Sequence, residues 1–317
     1  MGEIVKIRLG VSSCLLGNEV RFDGGHKRDR LLTGSLAAHA DYVPVCPEVG
    51  AGMSIPRETV RLVAAPGGPR LIAPKSSHDW TDAVRSYSGK ALDRLEQQDL
   101  DGFVLKSRSP TCGMARVKVY PAAGGGSSKD GVGVFAEVLR QRMPLLPVEE
   151  DGRLNDPLLR ENFLDAVFAY RRFKQLVAQP VTLARLVEFH ASNKFLLHAH
   201  SPDHLSRLGK VVARAKADGV DVASRTYLSG YMQAMRVLAT MKKHISVLQH
   251  MAGFFKQTLS SSARHELQES IDDYRAGLLP RAVPLALLRS HAREKEVGYL
   301  VRQTYFRPYP KQLLSAR

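Results

Sequence analysis

Through the first half of the chain, short aliphatic and β-branched runs alternate with stretches of helical period. Strands are predicted at Ile4–Val11, Tyr42–Cys46, Gly102–Lys106 and Leu145–Val148, each a compact apolar run bounded by turn residues. Between them Lys27–Ala40, Asp79–Gln98 and Gly133–Arg142 repeat apolar positions every three to four residues and read as helices. A hairpin, Thr59–Ala64 and Arg70–Ala73, is expected across Pro66-Gly67-Gly68-Pro69, and Ala122–Gly133, rich in Gly and Ser, reads as a mobile loop. After Pro157 only the helical period remains. It predicts a connecting helix over Asn155–Val177 that ends near Pro180, then helices at 181–200, 202–218, 223–259 with a kink at Gly230, 262–276 and 284–305. Alternating strands and helices followed by helices alone define a Rossmann-like, parallel-sheet α/β domain and then an all-α domain. The expected division is 1–155, a connecting segment 156–180, and 181–317.

Composition narrows the function classes. At 317 residues with 44% hydrophobic content the chain is long enough for two cores. No apolar run reaches the roughly 18 residues that a membrane span needs. The N-terminus has no signal-peptide pattern, so a cytoplasmic protein is expected. Three cysteines cannot all pair with one another, which argues against a disulfide framework. The net charge of +15 points to polyanions. Residues 1–175 carry 25 Lys+Arg against 21 Asp+Glu, whereas 176–317 carry 21 against 10, so the basic surface is expected in the second half. Lys194, Lys210, Arg214, Lys242 and Lys243, at helical spacings, are the candidate RNA contacts, although a solvated helix face explains each run taken alone.

Candidate chemistry sits in the first half. Cys14, Cys46 and Cys112 each follow a predicted strand. In an open α/β sheet the carboxyl ends of the strands border a crevice where ligands bind, so three thiols distant in sequence can converge there. The residues leave three readings open: unrelated buried cysteines, a zinc site with a further ligand, or an iron–sulfur cluster. A four-iron cubane on three thiolates would keep one iron without a protein ligand. Glu48, two residues from Cys46, is a candidate for proton exchange, its carboxyl pKa expected to rise through burial and a negatively charged neighbour. Ser109 is the preferred serine for catalysis. Ser107, Lys106, Ser12 and Ser13 are candidates for substrate contact, as is Asp23 in the Arg21-Phe22-Asp23-Gly24-Gly25 turn. For each serine, plain turn chemistry is the competing explanation.

At Val11-Ser12-Ser13-Cys14-Leu15-Leu16-Gly17, Arg21-Phe22-Asp23-Gly24, Cys46-Pro47-Glu48-Val49-Gly50 and Lys106-Ser107-Arg108-Ser109-Pro110-Thr111-Cys112-Gly113 the sequence resembles thiouracil desulfidase-like domains. At Phe189-His190, His198-Ala199-His200-Ser201-Pro202, Val247-Leu248-Gln249-His250, Phe254-Phe255-Lys256, Pro284-Leu285 and Pro308-Tyr309-Pro310 it resembles helical domains of the YbgA type. The combination is that of tRNA 4-thiouridine desulfidases. The resemblance implies a [4Fe-4S] cluster on Cys14, Cys46 and Cys112 whose open iron accepts the C4 sulfur. It also implies Glu48 as proton shuttle, Ser109 as a positioning or proton-donating group, and tRNA on the helical domain. Relatives end in a Leu-Arg-Asn-like tail, where this chain has Leu313-Leu314-Ser315-Ala316-Arg317. The rival functions are a desulfidase of free thiouracil or another small thiolated compound, and a non-enzymatic RNA-binding or redox-sensing iron–sulfur protein.

Overall fold

A computed structural model describes residues 6–313; the expected strand residue Ile4 lies outside them. The chain divides into two compact units, one running to Phe163 and the other from Leu164 to Lys311.

The strands in chain order are β1 (Ile7–Ser12), β2 (Ala40–Val45), β3 (Arg61–Val63), β4 (Arg70–Ile72), β5 (Gly102–Leu105), β6 (Val117–Tyr120), β7 (Ser128–Gly131) and β8 (Val148–Glu150). Among the described residues four of them form a parallel sheet in the order β2-β1-β5-β8. Parallel strands are covered on both faces, which is why β5 is buried at every position and Ile7, Leu9 and Val11 of β1 are fully enclosed. The carboxyl ends of β1, β2 and β5 lie side by side, and the cysteine-bearing segments leave from them. A second sheet, β4-β3-β6-β7, mixes parallel and antiparallel pairs. Its inner face, with Leu62, Leu71, Val117 and Val119, shares a core with Met53, Val84 and Val134.

The helices are α1 (Arg30–Thr33), α2 (Pro47–Gly50), α3 (Thr81–Glu96), α4 (Val134–Arg142), α5 (Pro157–Val177), α6 (Leu183–Ser192), α7 (Lys194–His200), α8 (Pro202–Asp218), α9 (Val220–Met235), α10 (Met241–Ala252), α11 (Ser261–Ala276), α12 (Ala282–Glu294) and α13 (Gly298–Val301). The second unit is helical throughout its described residues. It packs round Phe173, Phe189, Tyr227 and Tyr231, whose rings contact one another at centroid distances of 5.4–6.1 Å. The Ser201-Pro202 motif starts α8: Ser201 accepts from the His204 amide at 3.3 Å, and Pro202 occupies a first-turn position that needs no amide proton.

Several expectations are corrected: the helices expected at 181–200 and 284–305 are each divided, after Ser192 and after Glu294, and the strand expected at Leu145–Val148 lies at Val148–Glu150. The stretch Lys27–Ala40 forms only α1 and a short 3-10 turn, because Asp29 caps the Leu32 amide and the chain turns at Gly34. Ala122–Gly133 is not loop throughout: it contains β7, which pairs with an unanticipated strand, β6. The helix expected over 223–259 breaks after Met235 rather than at Gly230, where the missing Cβ lets Leu208 approach; a Cβ there would sit 2.9 Å from its Cδ2.

Candidate functional site

Cys14 lies in the 3-10 turn directly after β1, Cys46 caps α2 directly after β2, and Cys112 lies in the loop that follows β5. All three line one cavity of ≈ 230 Å³, together with Ser12, Ser13, Glu48, Arg57, Lys106, Ser107, Ser109 and Thr111. The cysteines are unpaired, and Cys112 is buried. Among the described residues no group of three or more His, Cys, Asp or Glu side chains is drawn together tightly enough to hold a metal ion. The three thiols are instead distributed round the wall of the cavity.

Burial dominates their electrostatics. It pushes Cys14 up to about 11, reinforced by Cys46 and opposed by Lys106 and Arg21. Burial also raises Cys46. Cys112 is pushed up to about 12, against a hydrogen bond from the Ser12 hydroxyl. Free thiols in this site therefore stay protonated at neutral pH, and thiolates are favoured only when a cation binds them. The donor set, three thiols with no imidazole in the lining, suits a soft metal centre.

Beside the thiols runs a polar chain that sequence reasoning found only in part. Glu48 faces Arg57, whose Nε lies 3.0 Å from Oε2 and whose Nη2 makes a second, shorter contact. Its other oxygen, Oε1, accepts from the Thr111 hydroxyl at 2.8 Å. With that proton committed, the Ser109 hydroxyl donates to Thr111 Oγ1 at 2.9 Å, while Ser109 Oγ accepts the Thr111 and Cys112 amides at 3.2 and 3.1 Å. The order is Ser109, Thr111, Glu48, Arg57. On the other wall, Lys106 Nζ donates to Asp151 at 2.7 Å and to the Ser107 hydroxyl at 3.0 Å. Although burial opposes ionisation of Asp151, its bonds from Lys106 and Ser107 prevail and hold its carboxyl below the ordinary value.

The remaining candidates divide. Ser12 and Ser13 line the cavity but are buried, and their hydroxyls are occupied by internal bonds: Ser12 accepts from the Lys106 amide at 2.9 Å and Ser13 from Asn18 at 2.8 Å. Asp23 does not line the cavity; it is exposed and closes its own turn by accepting from the Gly25 amide. In the helical unit, Lys243 is committed to the carbonyls of His200 and Leu238 at 2.7 and 3.0 Å, and Arg214 pairs with Asp218. Lys210 and Lys242 are exposed, and exposed Lys194 borders a pocket of ≈ 210 Å³ walled by Phe195, His198, His250, Phe254 and Tyr299. His200 and His244 are core residues: His200 bonds Asp165 and the Val237 carbonyl, and His244 bonds Tyr305. Arg57, Thr111 and Asp151 were missed. Thr111 stands in the Cys112 motif but was given no role there, while Arg57 and Asp151 meet Glu48 and Lys106 only through the fold and no local motif marks them.

The 2-thiouracil desulfurase family model matches residues 9–151, and the model of a protein family of unknown function, DUF1722, matches residues 194–310. The uncharacterized protein YbbK of Bacillus subtilis is 31% identical over 153 residues, covering 47% of this chain and 98% of YbbK. The uncharacterized protein YbgA of Escherichia coli is 28% identical over 156 residues, covering 48% of this chain and 90% of YbgA. A solved [4Fe-4S]-dependent thiouracil desulfidase, TudS, is 27% identical and covers 47% of this chain and 94% of its own, with a TM-score of 0.39. The chain belongs to the 2-thiouracil desulfurase family and carries a DUF1722 domain after the desulfurase domain. Among the described residues no helix is long and apolar enough to cross a membrane.

Proposed function

We infer that this protein is an iron–sulfur desulfidase that exchanges the C4 sulfur of 4-thiouridine in tRNA for oxygen, leaving uridine. The observation that carries this reading is that the three cysteines of the whole sequence line one cavity beside the Glu48 relay. Family membership supplies the thiolated uracil, and the charge of +15 favours a polyanionic carrier for it. Cys14, Cys46 and Cys112 would hold a [4Fe-4S] cluster. That group supplies a Lewis-acid iron without a protein ligand, suited to a soft thiocarbonyl sulfur.

The reaction balances as a hydrolysis: water contributes the oxygen of the new carbonyl, and the sulfur leaves with two protons as hydrogen sulfide. Proton handling falls to the chain. Glu48, fixed by Arg57, accepts a proton from the water that attacks C4. Thr111 and Ser109, already linked to Glu48 by hydrogen bonds, carry protons along the cavity wall. Lys106, anchored by Asp151, keeps a cation beside Cys14. A second reading, desulfuration of free thiouracil, draws on the family match, whose model is that of a 2-thiouracil desulfurase.

The test is loss of near-ultraviolet thiouridine absorbance from thiolated tRNA incubated with anaerobically reconstituted protein. Cys46→Ala should lower bound iron and sulfide and abolish the loss; equal desulfuration by that variant would overturn the mechanism. Inhibition by excess unmodified tRNA separates the two substrates, since the free-base reaction would be indifferent to it.

A further inference from the structure

The outer face of the second sheet has no part in the chemistry just described, yet it opens onto the same site. In β3 and β6, which run parallel with Leu62 opposite Val119, the apolar residues Leu62, Val117 and Val119 face the core. By strand alternation Arg61, Lys118 and Tyr120 project the other way. They line a groove of ≈ 980 Å³, joined by Lys129 from β7 and by Arg108 and Arg116 from the turns on either side of Cys112. The groove shares Val60, Lys106, Ser107, Arg108 and Pro110 with the cysteine cavity, so the two adjoin.

Its charge is one-sided. The side chains of Arg61, Arg108, Arg116, Lys118 and Lys129 are all exposed, and among the described residues none of the five makes an ion pair. The acid in the lining, Glu150, is buried and accepts from the Met114 amide at 2.7 Å, one carboxylate against five exposed cations. Like charges crowded round one depression repel, and a surface with no ligand to bind intersperses both signs. Arg108 and Arg116 also hold left-handed backbone, at φ 60° and 56°, a conformation uncommon for arginine that the surrounding fold must impose. The Arg61 guanidinium lies 4.8 Å from the centroid of the Tyr120 ring, and this stacked pair gives the groove a planar surface of the kind on which bases lie.

We propose that this groove binds the phosphodiester backbone of single-stranded RNA and leads it to the cysteine cavity, so that the desulfurase domain itself reads the polynucleotide. The inference rests on the desulfidase reading for the fate of the base, but not for the binding. A free base carries no phosphate and would leave five cations unused. The expectation that the basic surface lies in the second half of the chain is thereby amended: the helical unit holds the larger net charge, and the α/β unit holds the cations beside the chemistry.

The test is fluorescence anisotropy of a short labelled, unmodified single-stranded RNA titrated with the full-length, cluster-loaded protein at several salt concentrations. The triple variant Arg61→Gln, Lys118→Gln, Lys129→Gln should bind about ten-fold or more weakly, and the slope of log affinity against log salt should fall by about 2, near 0.7 per lost phosphate contact. Lys118→Glu alone is a second variant for the case in which the triple does not fold, as judged by circular dichroism. Unchanged affinity and slope in folded variants would overturn the proposal. So would failure of the unsubstituted protein to bind the RNA, or equal competition by polyglutamate. Because the RNA carries no sulfur, failure of the desulfidase reading would show separately, as absent turnover of thiolated tRNA by a protein that still binds in the groove.

Discussion

Thr111 is 1% exposed and joins two groups that the sequence marks separately, accepting from Ser109 and donating to Glu48. Thr111→Val keeps the shape and removes the hydroxyl, so it should cut turnover by about 100-fold while bound iron is retained. Thr111→Ser should restore most of that loss, and single-turnover desulfuration of thiolated tRNA reads both. A purely structural role would lower stability in Thr111→Val without this split between turnover and iron content. Glu48 and the cysteines were legible because each sits in a short motif at a strand end. Arg57 was not: it reaches Glu48 from an irregular loop nine residues on, where no hydrophobic period fixes direction. Asp151 stands 45 residues from Lys106, and their bond exists only because β5 and β8 are neighbours in the sheet.

At the scale of elements, β1 and β5 were readable because burial makes them short, mostly apolar runs, and the observed β1, β2 and β5 overlap the expected stretches, β1 running on to Ser12 and β2 starting earlier, at Ala40. The second sheet was harder. Its strands are three or four residues long, and in β6 only Val117 and Val119 carry the apolar alternation, flanked by Arg116 and Lys118. That same alternation, read as a strand with one basic face, was the available signal for the groove. The loop carrying Cys112 depends on a close backbone approach: the Gly133 amide donates to Gly113 at 2.8 Å, and a Cβ on Gly133 would sit 2.6 Å from the Thr111 carbonyl carbon and oxygen. Backbone on both sides cannot yield as a flexible side chain would. Gly133→Ala should therefore cost about 1–3 kcal/mol of stability and reduce iron retention, measured by urea denaturation and metal analysis. Gly126→Ala, where a Cβ meets nothing within 4 Å, should do neither.

For the molecule as a whole, the two units should respond differently to acid. In the helical unit burial pushes His244 down to about 2, with Arg281 adding to the effect, and burial beside Lys194 pushes His190 down to about 4. Both rings are neutral when folded and take up a proton near pH 6.5 once unfolded, so the unfolded state binds more protons below that value. Stability is accordingly full above about pH 6.5 and declines as pH falls toward each folded value. For His244 the decline between about pH 7 and about pH 5 is on the order of 2 kcal/mol, and the half-buried His190 adds a smaller, solvent-screened share in the same direction. The α/β unit differs: Asp151, held below the ordinary carboxyl value despite its burial, gives stability that is lost only at more acid pH. Trp80, the single tryptophan of the chain, lies in the α/β unit, whereas far-ultraviolet circular dichroism is dominated by helix. Lowering the pH from about 7 to about 5 should move the urea midpoint seen by dichroism to lower concentration and leave the fluorescence midpoint nearly in place. His244→Asn should flatten the dichroism shift. Equal displacement of both midpoints would mean that the units unfold as one cooperative body, and an unchanged dichroism midpoint would mean that His244 is not held neutral by its surroundings.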